Sequence, residues 1–100
     1  MKFYRQGDVG IIEIDKLPAN LVKKDSVIAL GELTGHKHQF RSKQVQVFAD
    51  ESGQQFVEVK QASPLLHEEH DQLEVPKGVY RIAMQRELDL IKQTQKQVLD

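Results

Sequence analysis

The chain has 100 residues, of which 39% are hydrophobic, and this indicates one domain with a single modest core. Its 14 basic and 15 acidic residues give a formal net charge of −1, which argues against electrostatic capture of nucleic acid or of an anionic membrane. There is no cysteine, so disulfides, thiolate metal ligands and cysteine nucleophiles are excluded. With no signal peptide and no long apolar run in the sequence, we expect a cytoplasmic protein without a membrane segment.

The first 40 residues predict three short strands. Val9–Ile14 is dominated by β-branched residues and follows the turn-forming residues 6–8, so it is the first predicted strand. Residues 15–26 have few apolar anchors and are predicted to be a connection with room for one helical turn. Val27–Leu30 is the second predicted strand, and the third covers residues 36–40.

The middle of the chain predicts a β-hairpin. Apolar residues alternate with polar ones in Val45–Ala49 and again over residues 56–59, and a four-residue loop at 50–53 lies between them. After this hairpin, Pro64 is expected to interrupt the chain just before the histidine-rich residues 67–70.

The last quarter predicts one long strand and one helix. A tight turn at 76–78 leads into a strand over 79–84, and residues 89–99 have helical spacing after a possible N-cap at Asp89. About six short strands separated by turns favour a mainly β fold. We therefore predict one β-rich domain over 1–100, a small antiparallel sandwich or barrel with one C-terminal helix.

The four histidines of the chain form two close pairs, His36 with His38 and His67 with His70. Residues two apart in a strand point to the same face, and residues three apart in a helical turn also share a face. Each pair can therefore present two imidazoles together. The sequence predicts one site in which the two pairs bind a divalent transition metal such as zinc, iron or nickel.

Glu68 and Glu69 lie between the second pair of histidines and are the candidate catalytic residues. Either could be an oxygen ligand, an orienting partner of an imidazole N–H, or a general base. The H-E-E-H sequence at 67–70 differs from the H-E-x-x-H zinc protease motif, because its histidines are three residues apart and not four.

Two classes of function follow from these residues. The leading hypothesis is a metal-binding domain of unestablished activity, which could act as a small metalloenzyme on an unidentified small molecule. The alternative is a non-enzymatic interaction or regulatory module whose histidines are structural, and a metal-free acid/base site is a further interpretation. A homodimer suits either hypothesis. Aromatic residues are not interleaved with a basic patch, so no nucleic-acid partner is expected.

Charged residues outside the histidine pairs have simpler interpretations. Arg5 and Asp8 are interpreted as a turn with its salt bridge. Arg86 is interpreted in the same way, as part of a strand end with a local Arg–Glu pair, and the alternative is that Arg86 or Arg81 binds an anionic ligand near the metal.

Five sequence blocks together resemble a family of short uncharacterised bacterial and phage proteins. The blocks are R-Q-G-D-V at 5–9, G-E-L-T-G-H-K-H at 31–38, L-H-E-E-H at 66–70, P-K-G-V-Y at 76–80 and Q-R-E at 85–87. The resemblance runs from about residue 4 to residue 88. It implies that the histidines are a feature of the family, and it implies no particular reaction.

A looser resemblance is to the cupins, which are small β-barrels that hold a metal through an H-x-H pair, a glutamate and a later histidine. His36 and His38 match the H-x-H pair, and the turn at 76–78 matches the second cupin motif. This chain has no glutamate three or four residues beyond His38, and Arg81 stands where cupins have the later histidine. A cupin-like site is therefore implied only with altered ligands, such as His70 or Glu69.

Overall fold

A computed structural model describes residues 2–25, 27–30 and 37–84. Across these residues the chain forms two antiparallel sheets and no helix. The predicted antiparallel β fold is thus confirmed, whereas the predicted helix at 89–99 lies outside the described residues. None of the secondary structure in the described ranges is a helix of the length and hydrophobicity that crossing a membrane requires.

The described ranges contain ten strands. They are β1 Phe3–Gln6, β2 Val9–Ile14, β3 Val22–Lys24, β4 Val27–Leu30, β5 Lys37–Phe40, β6 Val45–Ala49, β7 Gln55–Val59, β8 Ser63–Leu66, β9 Leu73–Val75 and β10 Gly78–Met84. One sheet has six strands in the order β1-β2-β10-β7-β6-β3, and the other has four in the order β4-β5-β8-β9.

The main hydrophobic core lies between the two sheets. Alternate side chains of β6 are buried, in agreement with the predicted alternation of this strand. The cluster draws on both sheets: Val9, Ile11, Val45, Val47, Val57, Val59, Tyr80 and Ile82 from the larger, and Phe40, Leu65 and Val75 from the smaller. The two sheets therefore pack as a sandwich.

The predicted strands with strong β-branched patterns have the bounds expected of them, and those of β2, β4 and β6 agree residue for residue. The hairpin loop is longer than predicted, because Gln55 pairs with Ala49 and residues 50–54 form the connection. Within this loop, the Asp50 carboxylate accepts hydrogen bonds from the backbone N–H groups of Ser52 and Gln54 at 2.9 and 3.0 Å. Such bonds from an aspartate to the backbone of its own turn stabilise the five-residue connection.

Two local predictions are wrong. Pro64 does not interrupt the chain but lies inside β8, where it pairs with Glu74 of β9. Residues 67–70 form a bend between β8 and β9, and not a helical turn. The bend lies between β8 and β9, which pair with each other. The second histidine pair therefore lies on the loop that joins two paired strands.

Three chain segments meet at one end of the sandwich. A two-residue turn, Gly7 and Asp8, joins β1 to β2. On the smaller sheet, Gln39 of β5 pairs with Leu66 of β8, so His38 and His67 come next to each other one position further along the antiparallel pair. The turn at 7–8, strand β5 and the bend at 67–70 together carry the polar residues of the candidate site.

Candidate functional site

Three of the four histidines cluster at this end of the sandwich. The ring centroids of His38 and His67 are 4.4 Å apart, those of His67 and His70 are 4.6 Å apart, and those of His38 and His70 are 6.5 Å apart. Together with Gln6 and Asp8 they form what we call the histidine site. Residues separated by about thirty positions in the chain thus come together, as the sequence predicts for His38, His67 and His70.

His38 is the buried centre of the histidine site, with 2% of its surface exposed. Its Nδ1 lies 2.9 Å from the Gln6 side-chain oxygen Oε1, and its Nε2 lies 3.0 Å from Oδ1 of Asp8. Gln6 is also buried, whereas about half of the Asp8 side chain, 52%, is exposed. Both ring nitrogens of His38 therefore have an oxygen partner, one inside the protein and one at its surface.

Each ring nitrogen of His38 faces an oxygen atom, but a neutral imidazole carries only one proton. Oε1 of Gln6 only accepts hydrogen bonds, so Nδ1 carries a proton and the neutral ring turns the lone pair of Nε2 toward the Asp8 carboxylate. A second proton on Nε2 would remove this repulsion. Burial nevertheless lowers the pKa of His38, because desolvation of the charged form outweighs the hydrogen bond to Asp8, which acts in the opposite direction.

His67 shapes the bend on which it lies. Its Nδ1 accepts the backbone N–H of Glu69 at 3.0 Å and that of His70 at 3.3 Å. Nδ1 therefore carries no proton and is occupied by the backbone.

His70 packs directly on the turn between β1 and β2. An ideal Cβ built on Gly7 would lie 2.5 Å from Nε2 of His70 and 2.7 Å from its Cδ2. Gly7 has a φ of 58°, in the left-handed region that glycine adopts without strain. The absence of a side chain at Gly7 is therefore what lets the exposed His70 ring approach the turn that carries Asp8.

The other predicted site residues are His36, Glu68 and Glu69. His36 lies outside the described residues. Glu68 and Glu69 are both exposed on the bend. Within 2–25, 27–30 and 37–84, no three histidine or carboxylate side chains are arranged to hold a metal ion as they stand.

A family model described as "Domain of unknown function (DUF8820)" matches residues 5–85. The chain belongs to this family. No curated protein and no solved structure matches the chain. The membership agrees with the predicted resemblance to uncharacterised proteins, while the likeness to cupins stays a prediction. The matched region of the DUF8820 family contains every residue of the histidine site.

Sequence reasoning missed two members of the histidine site, Gln6 and Asp8. Asp8 was predicted to belong to a turn and its salt bridge, and the turn is confirmed, but its carboxylate lies against His38. Arg5 contributes to the same turn, since its Nε donates to the Gly7 carbonyl oxygen at 2.8 Å. The only signal for either residue was the tight Gln-Gly-Asp turn, which does not reveal a partner 30 residues away.

The buried His38 predicts how the stability of the metal-free protein depends on pH. Because burial lowers the pKa of His38, the unfolded chain binds its proton more readily, at its ordinary pKa of about 6.5. The stability is therefore fully present above about pH 6.5 and is lost as the pH falls, by at most about 1.4 kcal/mol per pH unit.

Denaturant unfolding with a chelator present, at pH 7.5 and 5.5, measures this dependence. Asp8, His67 and His70 act electrostatically on the same ring, so His38→Asn is the reference that isolates the contribution of His38. We expect the wild type to lose more stability than the variant on acidification. An equal or smaller loss in the wild type would contradict the prediction.

Proposed function

We propose that this protein binds a divalent transition metal ion, such as zinc, iron or nickel, at the histidine site. Nε2 of His38 and Oδ1 of Asp8 are the first two ligands, and the exposed His70 turns its ring to complete the protein ligands. His67 lies between them and holds the bend. His36, which the described residues do not include, is the candidate for a further ligand.

The single observation that carries this proposal is the contact between Nε2 of His38 and Oδ1 of Asp8, 3.0 Å apart. A lone pair and a carboxylate repel each other at this distance unless a cation lies between them. A proton is disfavoured because His38 is buried. A metal ion removes the repulsion, and two ligands each about 2.0 to 2.1 Å from one ion are about 2.9 to 3.4 Å apart at the usual bond angles.

The surroundings of this contact support the same proposal. Imidazole rings that share one ion have centroids roughly 4.5 to 5.2 Å apart, by the same bond lengths. The ring centroids of His38 and His70, the two proposed imidazole ligands, are 6.5 Å apart, so the exposed His70 ring must turn toward His38 to share an ion with it. Nitrogen and oxygen donors of this kind suit zinc, iron(II) and nickel(II).

The exposure of the site indicates what a bound metal would do. Asp8, His70 and the glutamates of the bend are exposed, so a coordination position would remain open to water. A metal in such a site lowers the pKa of bound water and favours hydrolysis, with Glu68 and Glu69 as candidate proton acceptors. This is the metalloenzyme form of the proposal, and the resemblance of His36 and His38 to the cupin H-x-H pair belongs to it.

The test is metal analysis of the full chain, produced without a histidine tag and titrated with zinc and with cobalt(II) as a spectroscopic probe. We expect one ion per chain in the wild type and a loss of affinity of at least tenfold in Asp8→Asn, which has the same shape without the charge. Asp15→Asn, at an exposed position away from the histidine site, is the matched control and should bind as the wild type does. His36→Ala measures whether His36 adds a ligand.

A wild type that binds no metal stoichiometrically would overturn the proposal and leave the histidines as a structural polar cluster. If Asp8→Asn binds zinc as tightly as the wild type, Asp8 is not a ligand and the observation that carries the proposal has another cause.

A further inference from the structure

Gln6 uses every hydrogen-bonding group of its side chain within the histidine site. It is 3% exposed, at the end of β1. Its Nε2 donates to the carbonyl oxygens of Leu65 at 2.7 Å and of Asp71 at 2.9 Å, while its Oε1 faces Nδ1 of His38 at 2.9 Å. A buried amide with two donors and one acceptor, all engaged, has one orientation only.

The positions of the two carbonyl groups matter as much as their number. Leu65 comes shortly before His67, and Asp71 comes directly after His70, so the Gln6 amide binds both ends of the bend that carries these histidines. The same side chain contacts the third histidine, His38, on the neighbouring strand β5. One carboxamide from the larger sheet thus contacts the ring of His38 directly and holds the rings of His67 and His70 through the backbone of their bend.

The orientation of the Gln6 amide also decides the tautomer of His38. Backbone carbonyl oxygens only accept hydrogen bonds, so the NH₂ group of Gln6 must face Leu65 and Asp71, and its oxygen must face His38. Nδ1 of His38 therefore carries the proton of the neutral ring, and Nε2 is the nitrogen with the lone pair. Without Gln6, the Asp8 carboxylate would favour the opposite tautomer, with the proton on Nε2.

We infer that Gln6 is a positioning residue that selects Nε2 of His38 as the binding nitrogen and holds the bend of His67 and His70 in place. The role in metal affinity rests on the proposed function, whereas the selection of the tautomer does not. An outer partner that donates to or accepts from a metal-ligating histidine typically changes metal affinity by 10- to 100-fold.

The first experiment determines the tautomer of His38 in the metal-free full chain, by long-range ¹H–¹⁵N NMR at pH 8, above the ordinary pKa of an imidazole. We expect the Nδ1–H form in the wild type. We expect the Nε2–H form to predominate in Gln6→Met. An Nε2–H tautomer in the wild type would overturn the inference, and this measurement needs no variant that folds and no bound metal.

The second experiment titrates zinc into the same proteins. Gln54→Met is the matched control, because Nε2 of Gln54 also donates to two backbone carbonyl oxygens, those of Gln55 and Ile82, and neither residue belongs to the histidine site. We expect a 10- to 100-fold weaker affinity in Gln6→Met and no change in Gln54→Met. Equal affinities in the wild type and in Gln6→Met would overturn the positioning role. A wild type that binds no zinc refutes the proposed function but not the selection of the tautomer by Gln6. The NMR measurement then tests that selection by itself.

Discussion

His38→Ala is expected to abolish stoichiometric metal binding and to produce the largest loss of stability of any single change in the histidine site. The variant removes the buried imidazole that we propose as the first ligand, and it leaves the Gln6 oxygen without a donor. A cavity in place of a buried ring, together with one unsatisfied polar atom, costs about 2 to 5 kcal/mol in the free energy of unfolding.

Two further variants separate the loss of a ligand from the loss of stability. His38→Asn places an amide N–H near the position of Nδ1, so the hydrogen bond to Gln6 can persist while Nε2 is missing. Val57→Ala creates a cavity in the core of the larger sheet, away from the histidines. We expect the first to lose its metal with a smaller change in Tm, and the second to keep its metal despite a lower Tm.

Elemental analysis and thermal unfolding of the three variants check these expectations. Retention of one ion per chain in His38→Asn would show that Nε2 of His38 is not a ligand. Loss of metal in Val57→Ala would show that binding follows overall stability and not the residues of the site.

Gly7→Ala has the second largest expected effect, because one added methyl group acts on both the backbone and the site. At the φ of 58° that Gly7 adopts, a residue with a Cβ is less stable by roughly 1 to 2 kcal/mol. The new Cβ would also lie 2.5 Å from Nε2 of His70, so the ring must leave its position on the turn. We expect a lower Tm together with a metal affinity reduced by at least tenfold.

Gly53→Ala is a matched control for this change. Gly53 also has a positive φ, of 89°, but a Cβ built there meets no atom within 4 Å. Its alanine variant should therefore suffer the backbone strain alone, with a lower Tm and an unchanged affinity for zinc. If Gly7→Ala and Gly53→Ala bind zinc equally well, the approach of His70 to the turn has no part in binding.

Much of the fold was predictable because its strongest strands carry strong patterns. Val9–Ile14 and Val45–Ala49 combine β-branched residues with burial on the core side, and their predicted bounds are confirmed. β3, in contrast, has three exposed residues, two of them lysines, and exists because it pairs with β6. A strand that depends on its neighbour in this way leaves no local signal in the sequence.

The histidine site divides in the same way. The clustering of His38, His67 and His70 was predictable because histidines are few and closely spaced in this chain. The helical geometry expected of 67–70 was wrong, since the bend is set by the pairing of β8 with β9 and by Nδ1 of His67 accepting backbone N–H groups. Gln6 depends entirely on a contact between the two sheets, which periodicity within a strand does not encode.

The contact between Asp8 and His38 joins residues 30 positions apart, and one of them belongs to each sheet. An ion held by both side chains would join the two sheets in the native state across that length of chain. Because such a site does not exist in the unfolded chain, the binding free energy of the ion would add to the stability of the native state. In a domain of 100 residues, the histidine site would then act as a reversible substitute for the disulfide that a chain without cysteine lacks.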